Sequence, residues 1–228
     1  MKEFARAALA VARKDLLVER RSREVLNAAF SFALVVLLLF SFAFDPSGDE
    51  TRALAGGLLW LVFSFAGALA LNRSFARERE NDCLEALAAS PAPAAAVVLG
   101  KTLANAALLF ALELACLPVF GIFYNVRWTV RIGWLLLVFA LGTWGFTVIG
   151  TVFSALTVNV RTRELMLPLL VFPITVPALM AAVQLTTVLF AGEPLAPEMV
   201  WVRLLVGFDL IFTLLAGALA EFVLTGGG

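Results

Sequence analysis

The sequence predicts an all-α membrane protein with six transmembrane helices, and three observations carry that prediction. Hydrophobic residues make up 62% of the 228-residue chain and charged residues only 15%, with a mean hydropathy of +0.97. That balance belongs to chains solvated by lipid rather than water. Six runs free or nearly free of charge are each long enough to cross a hydrocarbon core about 30 Å thick, which takes about 20 helical residues. Lys and Arg between those runs collect on alternate sides.

Residues 1–24 precede the first run. Arg6, Arg13 and Arg20 recur at heptad spacing and share a helical face, with Phe4, Ala8, Val11 and Val18 opposite. This predicts an interfacial helix along the inner leaflet, a solvated juxtamembrane segment being the alternative. The charged start and the length of the run behind it do not match a signal peptide. The spans follow at residues 25–44, 53–71, 103–123, 132–158, 165–184 and 204–224, a single domain over 25–224. Span three carries Glu113 and span six carries Asp209 and Glu221. Span five carries Pro168, Pro173 and Pro177, each removing a backbone donor and crowding the carbonyl four residues earlier. A kinked or broken helix is expected there, followed by a short, partly re-entrant segment around Gln184 to Trp201.

With both termini inside, the inner segments hold Lys2, Arg6, Arg13, Lys14, Arg20, Arg21 and Arg23, then Arg73, Arg77, Arg79 and Lys101, then Arg161 and Arg163. Of 17 basic residues, only Arg52, Arg127, Arg131 and Arg203 fall outside. Tyr124, Trp128, Trp134 and Trp201 lie near the predicted outer boundary, where amphipathic rings suit a headgroup layer.

Composition also excludes function classes. The chain has no histidine, which removes imidazole bases, imidazole metal ligands and a histidine haem ligand. A formal net charge of zero argues against a nucleic-acid partner. Cys83 and Cys116 lack metal-site spacing and read as reduced, small residues. "AAAVVLGKT", Ala94 to Thr102, fails as a phosphate loop because Ala95 stands where the first glycine is needed and no strand precedes it. Any ATP chemistry therefore belongs to another chain, and Lys101 reads as a flank of span three.

The inner segment 72–101 is far longer than the two to eight residues that usually join neighbouring helices. Asp82 followed by Glu85 has the form of a capping box, and Ser90-Pro91 supplies a stop, so a short helix from Cys83 to about Ala89 is expected. A helix that short is marginal alone and needs something to dock on. Leu84 and Leu87 supply an apolar patch beside the mixed charges of "RERE".

A charged Arg/Glu run, then "CLEALAASPAP", then an alanine-rich entry into the next span resembles the permease subunits of ABC-2-type exporters. Leu84, Glu85, Ser90 and Pro91 keep that pattern, while Asp82-Cys83 stands where Gly-Thr is common. Over nearly the full length, with the early "ARKDL" and the proline-rich "LPLLVFPITVPAL" fifth span, the chain is similar to the CcmB family, membrane subunits of the cytochrome c maturation ABC complex. The resemblance implies a pair of six-span permeases on a dimer of a separate ATPase, CcmA, reached through a coupling helix. It also implies companions CcmC and CcmD and the haem chaperone CcmE, in a bacterial inner membrane. Haem as cargo and ATP-driven release of haem-loaded chaperone are both compatible with it. On this reading the chain catalyses nothing and binds no cofactor itself. Its ATPase-coupling residues would be Glu78, Glu80, Asp82, Leu84, Glu85, Leu87, Ser90 and Pro91, with Arg161 and Arg163 of the next inner loop. Glu113, near the centre of span three, is either a cavity-lining group or a structural carboxyl at a helix interface. An ion-coupled carrier built on Glu113 and a non-transporting scaffold are the competing classes.

Overall fold

The computed structural model describes residues 2–43, 49–75, 92–126, 128–158 and 163–225. These form α1 (Lys2–Ser22), α2 (Glu24–Ala43), α3 (Asp49–Asn72), α4 (Ala94–Phe123), α5 (Ile132–Thr157), α6 (Arg163–Ala191) and α7 (Met199–Thr225), with one 3-10 turn at Ala196–Glu198. Six helices are long and apolar enough to cross a membrane, and they fall on the six predicted runs. In lipid every backbone donor and acceptor must be satisfied within the chain, which selects helices of this length.

The bundle is organised around α5, which packs on α3, α4, α6 and α7. Close approach is bought by small residues, since lipid gives apolar helices no hydrophobic reason to associate. At Gly142 a Cβ would meet the Trp60 ring at 2.3 Å, so only glycine admits that indole. Trp60 in turn donates from Nε1 to Thr186 Oγ1 at 2.9 Å. It also meets Phe63 and Phe139 edge-on, with centroids 5.9 and 5.8 Å away. The indole thereby ties α3 to both α5 and α6. At the periphery, Leu39 and Phe42 of α2 and Leu210, Ile211, Leu214 and Phe222 of α7 are exposed, as lipid-facing side chains should be.

Four expectations are corrected. α4 begins at Ala94, not near Leu103, because Pro93 sits at the cap with an extended ψ of 134° and its carbonyl accepts from Ala96 and Val97. At 30 residues it is about 45 Å long, longer than a bilayer core, so its first turns project beyond the hydrocarbon.

The prolines do not break α6, which runs from Arg163 to Ala191 through Pro168, Pro173 and Pro177. The helix packs against α3 and α5. The Thr175 hydroxyl donates to the carbonyls of Val171 and Phe172 in the turn between the last two prolines. No re-entrant segment separates spans five and six. Instead α6 closes at Gly192, φ +76°, where Glu193 N–H reaches Val188 O and Gly192 N–H reaches Leu189 O, a left-handed glycine cap. α7 then starts at Met199.

Third, the apolar side of α1 is only partly free for a headgroup layer, Ala8 being buried while Val18 stays exposed. Ala8 and Ala12 are buried and α1 lies along α4, where a Cβ on Gly100 would come within 2.5 Å of the Ala8 carbonyl oxygen. Fourth, Tyr124 is not an interfacial ring. It is buried, stacks on Phe120 at 4.3 Å and donates its hydroxyl to the Leu37 carbonyl at 3.1 Å. Trp128 lies over Gly121, while Trp134 stays substantially exposed.

Candidate functional site

Residues 76–91, with Glu78, Glu80, Asp82, Leu84, Glu85, Leu87, Ser90 and Pro91, lie outside the described residues, as does Arg161. Arg163 is the first residue of α6. What is described is the ground on which that segment stands. Its root on the α3 side is Arg73–Phe75, and its root on the α4 side begins at Ala92.

Between these roots is a buried cation. Lys101, two turns into α4, is 0% exposed. Its Nζ pairs with Asp15 Oδ2 of α1 at 3.1 Å and donates to the Ser74 carbonyl at 3.0 Å. The same ammonium sits 4.6 Å from the centroid of the Phe75 ring, within cation–π range. One turn on, Asn105 Nδ2 donates to Ser74 Oγ and to Thr151 Oγ1 of α5, each at 2.9 Å. Ser154 of α5 donates to the Leu71 carbonyl at 2.8 Å. Arg73 pairs with Glu24 at the start of α2. The last turn of α3 and the residues just beyond it are thus held by α1, α2, α4 and α5 at once.

The acidic residues of α1 serve this junction. Asp15 faces Lys101, and Glu19 is buried and accepts the Leu26 N–H through Oε1 at 2.9 Å, satisfying one of the donors a helix N-terminus leaves open. The chain turns between α1 and α2 at Arg23, φ 53°. Lys101, expected as a flank of span three, is therefore a structural hub near the start of α4. The signal available was its spacing: Lys101 and Asn105 are i, i+4 on one face of α4.

A second polar locus lies deep in the bundle. Glu113 of α4 is buried, and Thr143 of α5 donates its hydroxyl to Oε1. Oε2 has no partner among the described residues. Trp60, Phe63, Ser64, Leu109, Thr143 and Phe146 complete the walls of a cavity of about 10 Å³ beside it. Asp209 lies well inside α7, which starts at Met199. It is 6% exposed, both oxygens lack a partner among the described residues, and Oδ1 faces Gly145, where a Cβ would stand only 2.6 Å away. Glu113 and Asp209 therefore flank α5 near Thr143 and Gly145, and sequence inspection underrated the second. Among the described residues no group of three His, Cys, Asp or Glu side chains is placed to hold a metal. At the bundle end opposite the junction, a cavity of about 690 Å³ opens between Ala53, Asn125, Val130, Thr187 and Glu193.

The sequence is similar to those of known proteins. Residues 6–224 match the family model described as CcmB protein. The chain is similar to "Heme exporter protein B" of Rhodobacter capsulatus, 33% identical over 172 residues that cover 75% of this chain and 78% of the relative. The protein of that name from Pseudomonas aeruginosa is 30% identical over 219 residues, 90% and 91% of the two chains. That of Paracoccus denitrificans is 34% identical over 167 residues, 73% and 76%.

Proposed function

The chain belongs to the CcmB family, and on that premise we propose that it is the membrane subunit of a haem-export ABC system in cytochrome c biogenesis. It is a transport component and not itself an enzyme. ATP is hydrolysed by a separate CcmA-like ATPase dimer on the cytoplasmic side of the bacterial inner membrane, two copies of this chain form the membrane unit, and both termini are cytoplasmic. CcmC-, CcmD- and CcmE-like proteins complete the assembly, with haem, or haem-loaded chaperone, as what the cycle moves.

The observation that carries this reading is the junction around Lys101. A segment meant only to connect two helices needs no anchorage, whereas one that receives force from another protein needs roots that do not give way. Here the α3 root is tied to α1 through Lys101 and Asp15 and to α5 through Asn105, so a push delivered to residues 76–91 would move several helices together. Glu78, Glu80, Asp82 and Glu85 supply the acidic face for the ATPase, Leu84 and Leu87 the apolar contact, Ser90-Pro91 the stop, and Arg161 and Arg163 a second contact on the next inner loop. Charge complementarity of this kind sets association rate and specificity.

The test is co-purification. The chain should bring a soluble ATPase with it and raise its hydrolysis rate. Reversing charge at Glu80→Lys and Glu85→Lys together should weaken that association, more so at low ionic strength, where unscreened repulsion is strongest. Unchanged capture and unchanged stimulation by the doubly reversed chain would remove these residues from the interface.

A further inference from the structure

We propose that one water molecule occupies the cavity between Glu113, Thr143 and Ser64 and joins α3, α4 and α5 through the middle of the bundle. The inference is independent of the cargo and of the ATPase partner. It starts from hydrogen-bond accounting. Glu113 is 3% exposed; Oε1 accepts from Thr143, and Oε2 has no partner among the described residues although it is fully enclosed. Buried carboxyl oxygens are rarely left bare, and those that look so commonly contact an ordered water.

The space beside Glu113 suits that role. At about 10 Å³ it is close to the smallest volume that admits a single water. It cannot readily close, because Phe146 and Leu109 already press onto the α3 backbone at Gly67, where a Cβ would meet them at 2.8 and 3.1 Å. Its polar walls are also of one kind. The Ser64 hydroxyl spends its proton on the Trp60 carbonyl at 2.6 Å, and the Thr143 hydroxyl spends its own on Glu113 Oε1. Ser64 Oγ, Thr143 Oγ1 and Glu113 Oε2 are left as oxygens able to accept. Water is the small ligand that brings protons to such oxygens; its two hydrogens serve Glu113 Oε2 and Ser64 Oγ, and two partners fall within the two to four that buried waters use. A hard cation bound by oxygen draws on about six ligands or more, and the remaining walls, Trp60, Phe63, Leu109 and Phe146, offer only rings and alkyl groups. The number of oxygens therefore selects water over a metal ion.

The bridge would give Ser64 of α3 a link to Glu113 that direct contact does not provide, so that a single carboxyl gathers three helices. A structure of the full-length chain in lipid nanodiscs, at a resolution that reveals other buried waters, should show a peak within hydrogen-bond distance of both Glu113 Oε2 and Ser64 Oγ. The peak should persist in Glu113→Gln, whose amide still offers polar atoms there, and vanish in Glu113→Leu, which fills the space with carbon. Infrared difference spectra on exchange into H2(18)O provide a second measurement: an isotope-shifted O–H band of an internal water is expected in the wild-type and Gln proteins and should be absent from the Leu protein. An empty cavity, the same water band in Glu113→Leu, or a sodium-dependent peak with five or more close oxygens would each overturn the proposal.

Discussion

A lysine ammonium taken fully out of water loses several kcal/mol of hydration, which only a well-placed partner set repays. Lys101 has such a set in Asp15, the Ser74 carbonyl and the Phe75 ring. Asp15 keeps 19% side-chain exposure and a second partner in Lys14 at 3.0 Å, so losing Lys101 would not strand it. Lys101→Met should accordingly cost about 3 kcal/mol, near the lower end for breaking a buried pair, read as a drop in the unfolding midpoint in detergent. Asp15→Asn should cost at least as much, because it leaves the fully buried ammonium without its counter-charge, and the double variant should cost less than the two single losses added together, because no stranded ammonium is then left. Strict additivity would mean that the pair contributes no coupling. Glu113 and Asp209 are the reverse case, carboxyls in the bundle interior that among the described residues have one bonded oxygen between them. Groups of that kind are retained at a cost in stability, and intramembrane acids are functional candidates by default.

Among the elements, α1 is the least expected. Its heptad of arginines and apolar opposite face imply a helix resting on lipid, and α4 takes up part of that face at Ala8 while Val18 stays exposed. The fit is tight at Gly100, where a Cβ would lie 2.5 Å from the Ala8 carbonyl and 2.8 Å from Val11 Cβ. Gly100→Ala should force α1 off α4 at an overpacking cost of about 1–3 kcal/mol, and protease cleavage within residues 2–22 should quicken while the six spans stay intact. Equal cleavage in both proteins would show that α1 is not clamped there. The spans themselves were legible because each is a long uncharged run, and their ends near Ala43, Asn72, Phe123 and Thr157 fall within a residue or so of where charge and turn residues place them. Hydropathy alone was blind to the first turns of α4 and the last turns of α6. Both are apolar helix continuing past the expected limits, set by Pro93 at one end and the Gly192 cap at the other. Partners were not legible: nothing in the local sequence of Lys101 or Tyr124 says that residues 86 or 87 positions away will bury them.

For the molecule as a whole, the proposed orientation and the proposed ATPase contact converge on one natural reporter. Only two cysteines exist in the chain. Cys116 is 1% exposed inside the bundle and should stay silent to any polar reagent, because thiol modification requires access as well as thiolate character. Cys83 lies in the segment between the second and third spans, on the side where Arg73, Arg77, Arg79 and Lys101 gather. On the proposed orientation, read from the bias of basic residues, that side is the cytoplasm. A membrane-impermeant maleimide should therefore leave the unmodified chain unlabelled in intact cells and label it at Cys83 in inside-out vesicles, with Cys83→Ser abolishing the signal. If the segment is the seat of the ATPase, saturating the vesicles with that subunit should slow the labelling, and high salt should restore it as the acidic contacts are screened. Labelling from the outside of intact cells would invert the topology and with it the side from which ATP acts. Labelling only from the inside, at a rate indifferent to the ATPase, would keep the topology and move the engine's contact elsewhere on the cytoplasmic face, with the second inner loop at Arg161 and Arg163 the next place to look.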